Sequence, residues 1–143
     1  MSTFRLSLID SDRDYLACFD VMRELRPHLP DAAGFTAQAR RQAGQGYHLL
    51  AAWQGERVMG LVGYRIQENL LYGRFLYVDD LVVAVAVRDK GLGGLLIEAM
   101  REEAQRQGCA HLVLDTALGN ALAQRFYFRQ GLLSKGLHFS LAL

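Results

Sequence analysis

A glycine-rich segment directly follows a run of apolar residues and has the composition of an anion-binding turn. Residues 88–94 read Arg-Asp-Lys-Gly-Leu-Gly-Gly and come after the valine-rich residues 81–87. Glycines at Gly91, Gly93 and Gly94 let the backbone turn with several N–H groups exposed. The helix expected next carries partial positive charge at its N-terminus. The segment therefore predicts a phosphate or pyrophosphate site, or else a turn that only redirects the chain.

Spacing excludes two other phosphate-binding loops. A Walker A loop requires G-x-x-x-x-G-K-[ST], and a dinucleotide fingerprint requires a third glycine at the position of Leu96. A Rossmann fold would also have its glycine loop after the first strand, whereas this loop follows a late one.

The composition is that of an ordinary globular protein. With 143 residues, of which 51% are hydrophobic and 22% charged, the chain suits one domain over residues 1–143 with its own core. A formal net charge of +1, with scattered Lys and Arg, argues against a nucleic-acid ligand. No signal peptide is evident and no apolar run reaches the ~18 residues of a membrane span. We therefore expect a cytoplasmic protein without a membrane partner.

The two cysteines give no metal or disulfide pattern. Cys18 and Cys109 lie far apart and show no C-x-x-C or Cys/His ligand spacing. We therefore expect no metal site and two buried, inert thiols.

Apolar periodicity and turn residues predict a mixed α/β chain with a mostly antiparallel sheet and one β-α-β crossover. The first helix has a cap at Ser11 or Asp12, and the third stops at Gly108. The predicted strands are residues 4–9, 47–53, 57–66, 75–87, 109–115 and 137–143. The first predicted helix runs through Leu25 and is ended by Pro27 and Pro30, the third starts near Leu92, and the other two are residues 32–43 and 120–130.

Three separated motifs give the chain a resemblance to a known family. Residues 88–94 match an Arg/Gln-x-x-Gly-x-Gly/Ala pyrophosphate loop, preceded by Val82 and Val83 on its strand. Asn120 with residues 126–132 is similar to an Asn-x-x-Ala, Tyr-x-x-x-Gly-Phe segment. Residues 77–81 are similar to an acidic strand segment. In order and spacing, the chain resembles the GNAT superfamily of acetyl-CoA-dependent N-acyltransferases over nearly its whole length.

Two positions depart from the family pattern. Ala84 and Val85 stand where many members have Asp-Pro, and Leu132 replaces the usual Phe. Neither change removes a group with a chemical role, although the first can alter the turn into the loop.

The resemblance implies acetyl-CoA as co-substrate and a central sheet flanked by helices, with the pyrophosphate loop between the long strand and its following helix. The pantetheine arm would lie along the long strand, where a valine N–H can polarise the thioester carbonyl. For Arg88 and Lys90 the alternative is a solvated surface cation. The residues that the resemblance assigns to coenzyme binding are Val82, Val83, Arg88, Asp89, Lys90, Gly91, Leu92, Gly93, Gly94 and Asn120.

A general acid is implied by the same resemblance. Asn120 and Tyr127 are two helical turns apart, roughly 10 Å at 1.5 Å per residue, so both project from one helix face. By resemblance, Tyr127 protonates the departing thiolate. The alternative is a core tyrosine beside Phe126.

A general base is also required, because an acceptor amine with a reference pKa near ~10.4 arrives protonated. Asp79 resembles the acidic position that some members use through water, and Asp80 is a candidate to hold the ammonium group. Adjacent strand residues point to opposite faces unless a bulge intervenes, so we expect only one to face the site. The alternative is a pair of carboxylates bound to nearby arginines, with Asp115 as reserve base.

The acceptor is the least defined part of the prediction. The acidic pair points to a small primary amine that is cationic, and Glu24, Arg26 and His28 are candidates for the mouth of its site. Three alternatives stay open: a coenzyme-binding regulatory module, transfer to a protein lysine or N-terminus, and a ping-pong reaction at Cys109. A homodimer is expected if residues 137–143 pair across an interface instead of completing their own sheet.

Overall fold

The computed structural model describes residues 3–143, and the expected mixed α/β fold is confirmed. Contacts divide the chain into two compact units, one ending at Val113 and the other comprising Leu114–Leu143. A single domain over the whole chain stays a prediction. In chain order the elements are β1 (Arg5–Leu8), α1 (Asp12–Leu25), α2 (Ala32–Ala43), β2 (His48–Gln54), β3 (Arg57–Asn69), β4 (Gly73–Val83), a 3-10 turn (Val85–Val87), α3 (Leu92–Arg106), β5 (His111–Leu114) and α4 (Ala121–Arg129).

The strands form one sheet in the order β1-β2-β3-β4-β5. The first four pair antiparallel with their neighbours, as a meander of hairpins does. The turn between β2 and β3 contains Gly55 at φ 62°, a left-handed conformation that glycine adopts without steric cost. The fully buried side chains that form the core are Leu49, Leu61, Val62, Leu76, Leu92, Leu96, Ile97, Met100 and Cys18.

Helices cover both faces of the sheet, as two glycines of β3 show. A Cβ at Gly60 would lie 2.9 Å from the Leu92 side chain of α3. The face of the sheet to which Gly60 belongs therefore packs on α3. Gly63 is three residues further along the strand and belongs to the other face. It pairs with Asp80 of β4, whose side chain bonds to Arg26 at the end of α1. The region around Asp80 therefore lies on the face covered by α1.

Local signals set the helix boundaries. The Ser11 hydroxyl accepts a hydrogen bond from the Asp14 N–H, and the Asp31 carboxylate accepts one from the Gly34 N–H. Helix α1 ends at Leu25, two residues before Pro27, which cannot continue it. These helix starts and stops agree with the sequence prediction.

The long central strand ends earlier than predicted. We expected a strand to residue 87, but β4 ends at Val83 and residues 85–87 form a 3-10 turn closed by the Val87 N–H to the Ala84 carbonyl. The Val85 N–H bonds instead to the Glu24 carboxylate, at 3.0 Å. A side chain of α1 thus binds the first N–H of the 3-10 turn, just beyond the end of β4.

The predicted final strand is not formed, so this prediction is wrong. Residues 137–143 have no strand structure, and the apolar side chains that alternate along them are exposed: Leu137, Phe139, Leu141 and Leu143. Alternation supplies a strand with one apolar face, but a strand also needs a partner for its backbone N–H and C=O groups. No strand of residues 3–143 pairs with this segment.

Within residues 3–143, no helix is both long and apolar enough to cross a bilayer. In the same part of the chain, no three His, Cys, Asp or Glu side chains are grouped to hold a metal ion.

Candidate active site

A β-bulge brings the two adjacent carboxylates of β4 to one cavity. Opposite β3, Asp80 pairs with Gly63 and Val78 pairs with Tyr64, so Asp79 is the extra residue between them. The expectation that only one carboxylate faces the site is therefore wrong, because a bulge interrupts the alternation of the strand. Asp79 and Asp80 both line a cavity of about 390 Å³.

The cavity lies between the sheet and the first two helices. Arg26 and His28, expected at the acceptor mouth, do line it, together with Tyr47 and Arg65. Its wall opposite the sheet is partly apolar and includes Met22 of α1, Phe35 of α2 and Leu29 of the loop between these helices. Glu24, the third residue expected there, is not among the lining residues and binds the Val85 N–H instead.

Asp80 is held on both of its oxygens. Its Oδ1 accepts a hydrogen bond from Arg26 Nε at 3.0 Å and forms an ion pair with Arg26 Nη2 at 2.9 Å, and its Oδ2 accepts from the Tyr47 hydroxyl at 2.8 Å. Arg26 Nη2 also donates to the main-chain oxygen of Asp79, at 2.9 Å. These bonds fix Asp80 and tie α1 to the bulge.

Asp79 has one oxygen in use and one without a partner. Its Oδ2 accepts from Arg65 Nε at 2.9 Å, whereas Oδ1 is buried and has no hydrogen-bond partner among residues 3–143. Burial raises the pKa of this carboxyl, although the adjacent Arg65 guanidinium lowers it. A buried acceptor without a donor is costly and calls for a donor from elsewhere. Asp79 and Asp80 are thus both bound to arginines, as the alternative interpretation expected. Of their oxygens, only the Oδ1 atom of Asp79 is left without a hydrogen bond from the described residues.

Tyr47 reaches Asp80 because Gly63 has no side chain. A Cβ at Gly63 would overlap the Tyr47 hydroxyl and its ring. Burial first, and then the Asp80 charge, raise the pKa of Tyr47 well above its ordinary value, so this phenol stays protonated and donates to Asp80.

We predict that Gly63→Ala destabilises the protein by about 1–3 kcal/mol, the usual cost of overpacking a buried site, because Tyr47 must move. The Tm is the measurement. Gly136→Ala is the matched control, since a Cβ there meets nothing within 4 Å, and its effect should stay within about 0.5 kcal/mol. Equal Tm values for the two variants would contradict the role of Gly63.

Sequence reasoning did not single out Tyr47 or Arg65. For Arg65 a signal existed, because a charged residue inside the long apolar strand β3 requires a partner, and the acidic pair of β4 supplies it. For Tyr47 no local signal marks its role, which depends on the space over Gly63.

The glycine loop has the backbone geometry of an anion site. Gly91 is the N-cap residue of α3 at φ 78°, and no side chain caps this helix start. The N–H groups of Leu92, Gly93 and Gly94 are therefore the ones that an anion would meet. Asp89 adopts φ 68°, a conformation uncommon outside glycine.

The side chains around this loop differ in exposure. Arg88, Asp89 and Lys90 are exposed, which for Arg88 and Lys90 fits the alternative of a solvated surface cation. The contact of all three residues with coenzyme stays a prediction. On β4, Val82 is buried and Val83 is half-buried, so an arm lying along this strand would use their backbone rather than their side chains.

In the second unit, Asn120 and Tyr127 occupy the start and the end of α4. The Asn120 side-chain oxygen accepts from the Ala123 N–H at 3.1 Å, so this residue caps the helix. Tyr127 is half-buried, its ring meets Phe126 edge-on at 5.3 Å, and burial raises its pKa. The phenol thus holds its proton at neutral pH, as a general acid must. Their roles toward coenzyme stay predictions.

The remaining candidates are less suited to catalysis. Asp115, the reserve base, has its Oδ2 3.5 Å from Nδ1 of His138. Burial raises the pKa of the Cys18 thiol to about 12 and also raises that of Cys109, which is half-buried rather than buried. A ping-pong nucleophile needs a thiolate, and a raised pKa disfavours it.

Comparisons with known proteins identify the family to which this chain belongs. The sequence matches the acetyltransferase (GNAT) family over residues 11–132. It is 24% identical over 119 residues to the uncharacterized N-acetyltransferase YhdJ of Bacillus subtilis, covering 83% of this chain and 84% of that protein. It is 30% identical over 121 residues to the thialysine N-epsilon-acetyltransferase of Bos taurus, covering 75% and 71%. A Trypanosoma brucei acetyltransferase shares the fold, with a TM-score of 0.83, 21% identity and coverage of 98% and 99%. The chain therefore belongs to the GNAT acetyltransferase family and is an acetyl-CoA-dependent N-acetyltransferase.

Proposed function

We propose that the protein transfers the acetyl group of acetyl-CoA directly to the primary amine of a small molecule, within a ternary complex. The observation that carries this proposal is the cavity at the β4 bulge, where Asp79 keeps one buried oxygen unbonded. Its volume of about 390 Å³ is within the range of small-molecule sites. The thialysine acetyltransferase among the relatives supports a small amine as acceptor.

Asp79 is the proposed base. The acceptor enters as an ammonium ion, and Asp79 takes one of its protons, directly or through a water molecule, so that the nitrogen lone pair becomes free to attack. The raised pKa of Asp79 brings its basicity closer to neutral pH than that of an ordinary aspartate. Asp80, with both oxygens engaged, holds Arg26 and Tyr47 in place rather than binding the ammonium group.

The coenzyme side of the reaction follows from the family motifs. Backbone N–H groups of residues 92–94 bind the pyrophosphate at the start of α3, and the backbone of Val82 and Val83 lies along the pantetheine arm. The amine nitrogen forms a bond to the thioester carbon and loses its second proton to solvent, and the C–S bond then breaks to leave a neutral amide, after which Asp79 also returns its proton to solvent. Tyr127 gives its phenolic proton to the departing thiolate and regains one from solvent.

We expect acetyl-CoA to raise the Tm. A ligand at 100 times its Kd adds about 2.7 kcal/mol to the free energy of unfolding. Gly91→Ala should reduce this rise, because an alanine is strained at φ 78° and displaces the loop, whereas Gly136→Ala should retain it.

Release of free thiol from acetyl-CoA with a panel of small amines then tests transfer itself.

The two readouts separate two failures. No rise in Tm at millimolar acetyl-CoA would contradict the coenzyme site. A rise in Tm without thiol release from any amine in the panel would contradict transfer to a small amine.

A further inference from the structure

We infer that the acceptor is an amine that also carries a carboxylate, and that Arg26 binds this carboxylate while the amine lies at Asp79. The inference rests on the proposed function and specifies the acceptor that it leaves open.

The first observation is the charge of the cavity. The cavity is lined by two arginines, Arg26 and Arg65, by two aspartates, Asp79 and Asp80, and by His28, and the charges of the arginines and aspartates sum to zero. Three of the four carboxylate oxygens already accept hydrogen bonds from Arg26, Tyr47 or Arg65. The oxygen without a donor among residues 3–143 is the buried Oδ1 of Asp79, whose side chain as a whole is 20% exposed, so Asp79 is the carboxylate left to bind one cationic group. A cavity whose arginine and aspartate charges cancel, and that has a single position for a cation, suits a zwitterion and disfavours a polycation, whose further charges would face the guanidinium groups.

The second observation is that the two arginines differ in accessibility. The Arg65 side chain is 19% exposed, and its guanidinium lies over the Tyr47 ring, 5.5 Å from the centroid. The Arg26 side chain is 42% exposed although it lines the same cavity. Arg26 is therefore the guanidinium that a ligand can reach.

The third observation is the way in which Arg26 is bonded. Its contacts to Asp80 and to the Asp79 main chain use Nε and Nη2. These contacts do not use Nη1, whose two N–H groups are donors for an acidic group. A guanidinium that is already positioned on one edge binds a carboxylate at a smaller entropic cost than a free side chain does.

The remaining wall suits the carbon skeleton between the two charged groups. Met22 and Phe35 of the helices and Leu29 of the loop between them supply apolar contacts, and Gln38 and Gln42 supply neutral amides. Arg26 and Asp79 are directly connected, since Arg26 Nη2 bonds the Asp79 carbonyl, so the acid and the amine of one small molecule can reach both.

The test compares acceptors that differ only in the carboxylate. Lysine against cadaverine and ornithine against putrescine are such pairs, and spermidine represents a polycation. At saturating acetyl-CoA, kcat/KM from thiol release should favour the carboxylate-bearing member by at least ~10-fold, the loss expected when one charge-assisted hydrogen bond is removed. Spermidine should be poorer than either amino acid.

Arg26→Gln is expected to reduce that preference to about one, mainly through a higher KM for the amino acid. The ratio between paired acceptors is the readout, because general damage to the site lowers both members alike. Arg40→Gln is the matched control, since Arg40 pairs with Asp12 and does not line the cavity. It should retain the wild-type ratio.

Each outcome decides between the two proposals. Equal kcat/KM for paired acceptors, or a preference for the diamines, overturns the inference and leaves the proposed function standing. An unchanged preference in Arg26→Gln overturns the assignment of Arg26. Thiol release with none of these amines, in a protein that acetyl-CoA stabilises, overturns the proposed small-amine acceptor and the inference with it.

Discussion

Asp79→Asn should lower kcat by roughly 10²- to 10⁴-fold, the usual contribution of a general base, while the rise in Tm caused by acetyl-CoA persists. An asparagine keeps the shape of the side chain and an oxygen for Arg65, but it cannot take a proton from the ammonium group. Thiol release gives kcat, and thermal melting gives the Tm with and without coenzyme.

The same variant should not be less stable than the wild type at neutral pH. Folding raises the pKa of Asp79, so the folded state binds this proton more readily than the unfolded state does. The ionised carboxylate therefore costs stability once the pH is above the folded pKa, and an asparagine avoids this cost. For the wild-type enzyme, kcat/KM should fall as the pH drops through this raised pKa, above the ~3.9 of an ordinary aspartate.

Asp12→Asn is the control, because Asp12 also pairs with an arginine but is 73% exposed and lies outside the cavity. It should leave kcat unchanged. Wild-type kcat in Asp79→Asn would eliminate Asp79 as base, and a large fall in its Tm would assign the carboxylate to the structure of the bulge.

The helix ends and turns that depend on residues close together in the chain could be predicted from the sequence. Helix α2 agrees at both ends, because Asp31 caps it and the glycines after Ala43 stop it. Gly91, at the start of α3, has a left-handed φ, which glycine adopts more readily than other residues. Each of these features depends on contacts within a few residues along the chain.

Features that depend on distant contacts could not be predicted. The bulge at Asp79 results from the pairing of β4 with β3, and it changes which carboxylates face the cavity. The early end of β4 involves Glu24, which is 61 residues before Val85 in the chain. The alternating segment at residues 137–143 has the composition of a strand, but its structure depends on a partner strand that the sequence does not name. Its pairing in a homodimer stays a prediction.

The phenol of Tyr127 is the second group whose removal should have a large effect. Tyr127→Phe deletes one hydroxyl and keeps the ring that meets Phe126, so α4 should fold as before. Without an acid, the thiolate must leave as an anion, and we expect kcat to fall by ~10²-fold or more. Because burial raises the pKa of Tyr127, the wild-type enzyme should keep this acid protonated beyond the ordinary tyrosine pKa, so loss of the acid should not limit kcat near neutral pH.

Two comparisons decide whether that loss reflects acid catalysis. Tyr72→Phe is the matched control, since Tyr72 packs against Phe75 and His111 and does not line the cavity, and its kcat should be unchanged. An acetyl thioester with a more acidic thiol needs less help to leave, so it should recover part of the lost rate in Tyr127→Phe while changing the wild type little. A loss of rate that is equal for both thioesters would instead make Tyr127 a packing residue, because the need for a proton donor depends on the leaving group and the need for packing does not.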